Sequence, residues 1–143
     1  MKAKDIMTAS DLTVVADSIS IRQVAQLLAD NDIGSIPVLD DSGRLEGIVT
    51  DRDICCRAVA AGLAFDAPIR QVMSQPVYTI DPDADVRELE QVMRAHKIRR
   101  VPVVDSQGRL EGFVAQADLL LHLQGKKKEE HELVEVLESI SEP

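Results

Sequence analysis

Ile21, Val24, Ala25 and Leu28 recur at helical spacing behind the polar residues Ser18 and Ser20, so a helix buried along one face is predicted there. The same pattern returns at Val86, Leu89 and Met93 behind Asp83 and Asp85, which favour the positive end of a helix dipole. Ile36 to Leu39 and Val101 to Val104 are apolar runs too short for helices. Each is followed by Asp, Ser and Gly turn chemistry and then by a second apolar stretch, Leu45 to Val49 or Leu110 to Val114, so each pair reads as a hairpin. Pro37 and Pro102 fall inside the first strands, and a residue without a donor belongs at an edge or a bulge. Second helices begin near Asp51 and Gln116, the first carrying Ile54, Ala58 and Val59 and ending around Gly62. Short helical fragments, Ile6-Met7 and Ile69-Val72-Met73, precede extended lead-ins at Thr13-Val14-Val15 and Tyr78-Thr79-Ile80.

The two patterns are one pattern written twice. Residues 13 to 57 align without a gap on 78 to 122 at a constant offset of 65. Identities fall at Arg22/Arg87, Gln26/Gln91, Ile33/Ile98, Pro37/Pro102, Val38/Val103 and Asp40/Asp105, and Gly43-Arg44-Leu45-Glu46-Gly47 recurs whole as Gly108-Arg109-Leu110-Glu111-Gly112. Two copies are too few for a solenoid and imply two similar lobes about a pseudo-two-fold axis. The fold class expected is α+β, α/β sandwich-like, with a small sheet and two packed helices in each lobe. The domains expected are 1–62 for the first repeat with its N-terminal lead-in, 63–124 for the inter-repeat connection with the second repeat, and 125–143 for an acidic C-terminal helix. In that last segment Leu133, Val136, Leu137 and Ile140 form an apolar stripe, to be covered by the chain's own domain or by a partner subunit.

Composition narrows the function. The 143 residues are 45% hydrophobic, enough for a core without staples, yet only 2% aromatic and without Trp, and the net charge is −9. An acidic chain with no stacking platform is not expected to bind nucleic acid. No window approaches the ~20 apolar residues of a membrane span, so a cytoplasmic protein with no membrane partner is expected. Cys55 and Cys56 are adjacent and read as a reduced pair, with an intersubunit disulfide or a redox role as the alternative. His96, His122 and His131 are scattered without metal-ligand spacing, and no nucleophile motif occurs, so neither a metal site nor an enzyme is expected.

The phrases Asp32-Ile33-Gly34-Ser35-Ile36-Pro37-Val38-Leu39-Asp40 and Gly47-Ile48-Val49-Thr50-Asp51-Arg52-Asp53-Ile54, with their second copies, resemble the cystathionine β-synthase (CBS) domain. The chain is similar to a stand-alone prokaryotic CBS pair over residues 5 to about 122. The resemblance implies a homodimeric regulatory module that requires no cofactor. Such a module would sense AMP, ADP, ATP or S-adenosylmethionine and signal to an unidentified effector; an interaction module with vestigial clefts is the competing reading.

Thr50-Asp51-Arg52-Asp53 matches the family's Thr/Ser-x-x-Asp ligand signature, in which Asp53 would accept from ribose hydroxyls while Thr50 and the helix start suit phosphate. The same spacing is also that of a capping box. At the second copy, Ala115-Gln116-Ala117-Asp118 keeps the carboxylate and loses the hydroxyl, so a weaker site is expected there unless Arg99 and Arg100 compensate through their guanidinium forks. The base would lie against Val14, Val15 and Ile36-Pro37-Val38, or against Thr79, Ile80 and Val101-Pro102-Val103, with backbone groups freed by the prolines reading its edge; core packing is the alternative for the inward side chains.

Overall fold

In the computed structural model, which describes residues 1–123 and 137–140, both predicted hairpins are present. Helix α1 (Ala3–Ile6) and strand β1 (Val15–Ala16) lead into α2 (Ile21–Asn31), β2 (Ser35–Leu39), β3 (Leu45–Thr50) and α3 (Asp51–Asp53), which continues as a π-helical turn over Ile54–Val59. A 3₁₀ turn at Ile69–Gln71 precedes α4 (Val86–His96), β4 (Arg100–Val104), β5 (Leu110–Ala115) and α5 (Gln116–Leu123). Mixed helices and small sheets thus form twice, as the α+β expectation requires.

The chain divides into two compact units, Leu12–Val77 and Met1–Asp11 together with Tyr78 onward. This division differs from the boundaries expected from the repeat. The segment expected to open the first lobe packs with the second repeat: Thr8 and Phe113 exchange backbone hydrogen bonds of 2.8 and 3.0 Å, and Ala3 N–H donates to Ala84 at 2.9 Å. Likewise Ser74, on the inter-repeat connection, pairs with Ile48 of the first sheet through bonds of 2.7 and 3.2 Å. Each short helical fragment therefore serves the repeat that it does not precede.

Inside the unit spanning Leu12–Val77, β1 pairs in parallel with β2, and β2 antiparallel with β3. The core comprises Val15, Ile21, Val24, Leu28, Ile36, Val38, Val49, Ala58, Ile69, Val72 and Met73. In the other unit β4 pairs with β5, Ile80 bridges to Val103, and Leu89, Met93, Val101, Val103, Val114 and Leu119 are enclosed. Leu137 and Ile140 pack against this second core, so the part of the C-terminal stripe that is described is covered by its own chain. Leu133, Val136 and the Lys126-Lys127-Lys128 run lie outside the described residues.

Local chemistry explains the boundaries. Ser20 caps α2 by accepting from Gln23 N–H, and Asp85 caps α4 by accepting from Arg87 N–H. Pro37 and Pro102 sit one position before register shifts at Val38/Leu39 and Val103/Val104, the bulges that a donorless residue invites. In the hairpin turns, Asp40 Oδ1 accepts from Ser42 Oγ and from the Ser42 and Arg44 amides, and Asp105 Oδ1 accepts from the Gln107 and Arg109 amides. These bonds hold both carboxyls below the usual range, led by the Ser42 hydroxyl at Asp40 and by the Arg109 amide at Asp105.

The second glycine of each repeated pentapeptide has its own cause. A Cβ on Gly47 would lie 2.7 Å from Met73 Sδ, and one on Gly112 would lie 2.7 Å from the Thr8 carbonyl oxygen and 2.9 Å from Met7 Sδ. The sheet is bare there because Met73-Ser74 crosses directly over Gly47 and Met7-Thr8 over Gly112.

Candidate functional site

The strand-to-helix junction of the first repeat is held by reciprocal bonds. Thr50 Oγ1 accepts from Asp53 N–H at 3.1 Å, and Asp53 Oδ2 accepts from Thr50 N–H at 2.9 Å. This is a complete capping box, so the structural role of Thr50-x-x-Asp53 is realised. The carboxylate is further occupied: Ser74 Oγ donates to it, 3.0 Å from Oδ1 and 3.1 Å from Oδ2, and Arg57 Nε stands 3.7 Å from Oδ1. Asp53 is only 7% exposed, and its two oxygens are already engaged.

The second junction is built differently. Asp118 Oδ2 accepts from Ala115 N–H at 2.7 Å, and no hydroxyl at position 115 returns a cap. Among the described residues nothing donates to Oδ1, and Asp118 is half-buried rather than buried. Thr8 occupies the place of Ser74, since it bridges to Phe113 as Ser74 does to Ile48, yet its side chain is exposed and leaves the carboxylate alone. Sequence reasoning missed Ser74 altogether; the matching Met7-Thr8 and Met73-Ser74 dipeptides were the available signal.

The other expected contacts separate into two groups. Ile36, Val38, Val101 and Val103 have no exposure and Val15 and Ile80 are also buried, so their side chains form the cores of their own units. Pro37 and Pro102 are buried as well, and the Pro102 carbonyl accepts from Ile80 N–H at 3.0 Å. Val14, Arg52, Thr79, Arg99 and Arg100 are exposed. The Arg100 guanidinium lies 5.1 Å from the centroid of the Phe113 ring, a cation–π distance. Arg99 contributes its backbone carbonyl to Gln116 N–H at 2.8 Å, fixing the start of α5 next to Asp118. Nearby, exposed Tyr78 stacks on His96 with centroids 3.5 Å apart.

One further group in the first unit is electrostatically displaced. Among the described residues Glu46 Oε2 is out of solvent with no hydrogen-bond partner, and burial first, then the neighbouring Asp17, pushes the Glu46 carboxyl above its ordinary range. Arg70 Nη1 stands 4.0 Å from Asp17 Oδ1 and partly offsets this.

Cys55 and Cys56 are free and exposed. Among the described residues no group of three or more His, Cys, Asp or Glu is placed to hold a metal ion, and no helix is long and apolar enough to cross a membrane. His131 lies outside those residues.

Comparison with known proteins places this geometry. The CBS domain family matches residues 3–58 and 69–125. Hypoxic response protein 1 of Mycobacterium tuberculosis is 37% identical over 142 residues, covering 99% of this chain and 94% of that protein. Its crystal structure, with two coordinated zinc ions, superposes with a TM-score of 0.77 at 38% identity and covers 86% of this chain and 99% of the other. The CBS domain pair of protein MJ0100, solved with 5-methylthioadenosine and S-adenosyl-L-methionine, gives a TM-score of 0.71 at 32% identity, over 88% of this chain and 98% of the other. The CBS domain protein PAE2072 of Pyrobaculum aerophilum, complexed with AMP, gives 0.73 at 28% identity, over 94% of this chain and 98% of the other.

Proposed function

The chain belongs to the CBS-domain family and carries a tandem pair of those domains. We propose that it is a regulatory module that takes an adenosyl ligand, AMP, ADP, ATP or S-adenosylmethionine, and passes its occupancy to an effector protein, without catalysing a reaction. The observation that carries this reading is the Asp118 carboxylate, which keeps Oδ1 open to a ribose hydroxyl while Ala115 N–H fixes Oδ2. Relatives of the same fold bind AMP or S-adenosyl-L-methionine, which supports the ligand class. In this reading Arg99 and Arg100 supply the positive charge for phosphate, and exposed Thr79 borders the base.

The module acts as a cytoplasmic homodimer in this proposal. Support comes from apolar side chains left in solvent on the second helices, Val59 at 56% exposure and Leu121 at 69%, whereas Ala58 and Leu119 are consumed by their own cores. Light scattering at micromolar concentration tests it, and a monomer refutes the dimer. The competing reading is an interaction module with unused junctions, and what favours it is the occupied state of Asp53.

A thermal-shift series with AMP, ADP, ATP and S-adenosylmethionine decides between the two. A ligand at about a hundred times its dissociation constant adds roughly 2.7 kcal/mol. For a domain of this size that raises Tm on the order of 5 to 10 °C. If no adenine compound moves the transition at millimolar concentration, the sensor reading fails and the interaction module replaces it.

A further inference from the structure

Among the described residues Asp53 is the one buried charged side chain, and its burial is secured by a residue from a distant part of the sequence. Ser74 is fixed by its own backbone, donating N–H to the Ile48 carbonyl at 2.7 Å and accepting from Ile48 N–H at 3.2 Å. Its hydroxyl is thereby held against both Asp53 oxygens at 3.0 and 3.1 Å. A vicinal diol approaching this junction needs the acceptors that Ser74 Oγ now shares, since Oδ2 already takes the Thr50 amide and Arg57 Nε stands 3.7 Å from Oδ1. The corresponding Thr8 makes no such contact with Asp118, so the obstruction belongs to one junction and is not a consequence of the fold.

We propose that Ser74 is a specificity-determining residue that competes internally for Asp53 and keeps the first junction closed to adenosyl ligands, so that the intact signature is the silent site and the degraded one at Asp118 is the working site. The inference rests on the adenosyl-ligand reading above. Ser74 Oγ–H mimics a ribose hydroxyl at no translational cost, since it is part of the chain, and a ligand gains from Asp53 only after the side chain rotates away. Removing the hydroxyl leaves a buried carboxylate with an open acceptor face, which a diol would satisfy.

Calorimetric titration of the full chain with AMP tests this, using wild type, Asp118→Ala, Asp118→Ala with Ser74→Ala, and Asp118→Ala with Ser74→Cys. In the Asp118→Ala background the first junction is read alone. Ser74→Ala there should tighten AMP binding about ten- to hundred-fold, the worth of a hydrogen bond to a charged group. Ser74→Cys, with a weak thiol donor, should give a gain in the same direction and guards against loss of folding in the alanine variant. Replacement by threonine, which keeps the hydroxyl, should stay at the level of Asp118→Ala. Unchanged affinity in both Ser74 variants, with AMP bound by wild type, overturns the competition while leaving the ligand reading standing. No binding of AMP, ADP, ATP or S-adenosylmethionine by wild type or by any variant overturns both.

Discussion

The two junctions differ in how many donors their carboxylates already hold. The first keeps Thr50 and Asp53, yet the hydroxyl and carboxylate close on each other's amides and Ser74 donates to the same carboxylate. The second has lost the hydroxyl, and its carboxylate is the more available because fewer groups compete for it. A matching motif therefore measures the capacity to bind and says nothing of whether the chain has already spent that capacity on itself.

The comparison breaks most directly at the two carboxylates. Asp118→Ala should weaken AMP binding by about ten- to hundred-fold, the loss of a charged hydrogen-bond partner worth roughly 1.5 to 3 kcal/mol. Asp53→Ala should leave AMP affinity near wild type and instead lower Tm, because the Thr50 amide and the Ser74 hydroxyl lose their acceptor, at about 1 to 3 kcal/mol. Equal losses of affinity in the two variants would abolish the asymmetry.

Gly47 and Gly112, crossed by Met73-Ser74 and Met7-Thr8, sharpen it further. Gly112→Ala places Cβ against the Thr8 carbonyl, a backbone atom, whereas Gly47→Ala meets first the movable thioether of Met73. Overpacking of this kind costs about 1 to 3 kcal/mol, and Gly112→Ala should stand at the upper end of that range with Gly47→Ala below it. Chemical denaturation of both variants measures the difference, and a larger loss for Gly47→Ala would contradict the contact geometry.

Smaller effects are expected at the caps. Thr50→Ala removes the acceptor for Asp53 N–H and should cost about 0.5 to 2 kcal/mol, while Ala115→Thr, which supplies the hydroxyl the second junction lacks, should gain a fraction of that. Melting curves at neutral pH give both signs. A destabilising Ala115→Thr would mean that the second junction cannot close its box.

The smallest effect lies at Glu46 of the repeated pentapeptide. The folded Glu46 carboxyl is raised above its unfolded value, so its contribution is full below the unfolded value and is lost as pH rises through the folded one. Glu46→Gln should therefore flatten this rise-of-pH loss and modestly raise Tm at neutral pH, with Asp17 and Arg70 unchanged. Asp40 and Asp105 carry the opposite sign: both are lowered, so their contribution is present above the unfolded value and fades as pH falls through the folded one.

How much of this was legible beforehand follows from the range of each interaction. Apolar spacing marked α2 and α4, turn chemistry at Asp40 and Asp105 marked the hairpins, and the internal repeat required the architecture to occur twice, because each of these rests on residues within a few positions of one another. The capping box at Thr50-x-x-Asp53 was legible for the same reason. What lay beyond the sequence pattern were contacts closed over tens of residues. Repetition at a fixed offset cannot show that the Met7-Thr8 segment lies over Gly112 and Met73-Ser74 over Gly47, since a backbone crossing leaves no periodic trace except a glycine. Nor can strand spacing tell a residue that lines a slot from one that fills a core, and packing on both faces sent Ile36, Val38, Val101 and Val103 inward. The sequence by itself determined the elements, their duplication and the carboxylate at each junction. Only the tertiary structure decided how fully each carboxylate is engaged, because a buried charge must find donors and at Asp53 one of them, Ser74, comes from 21 residues away.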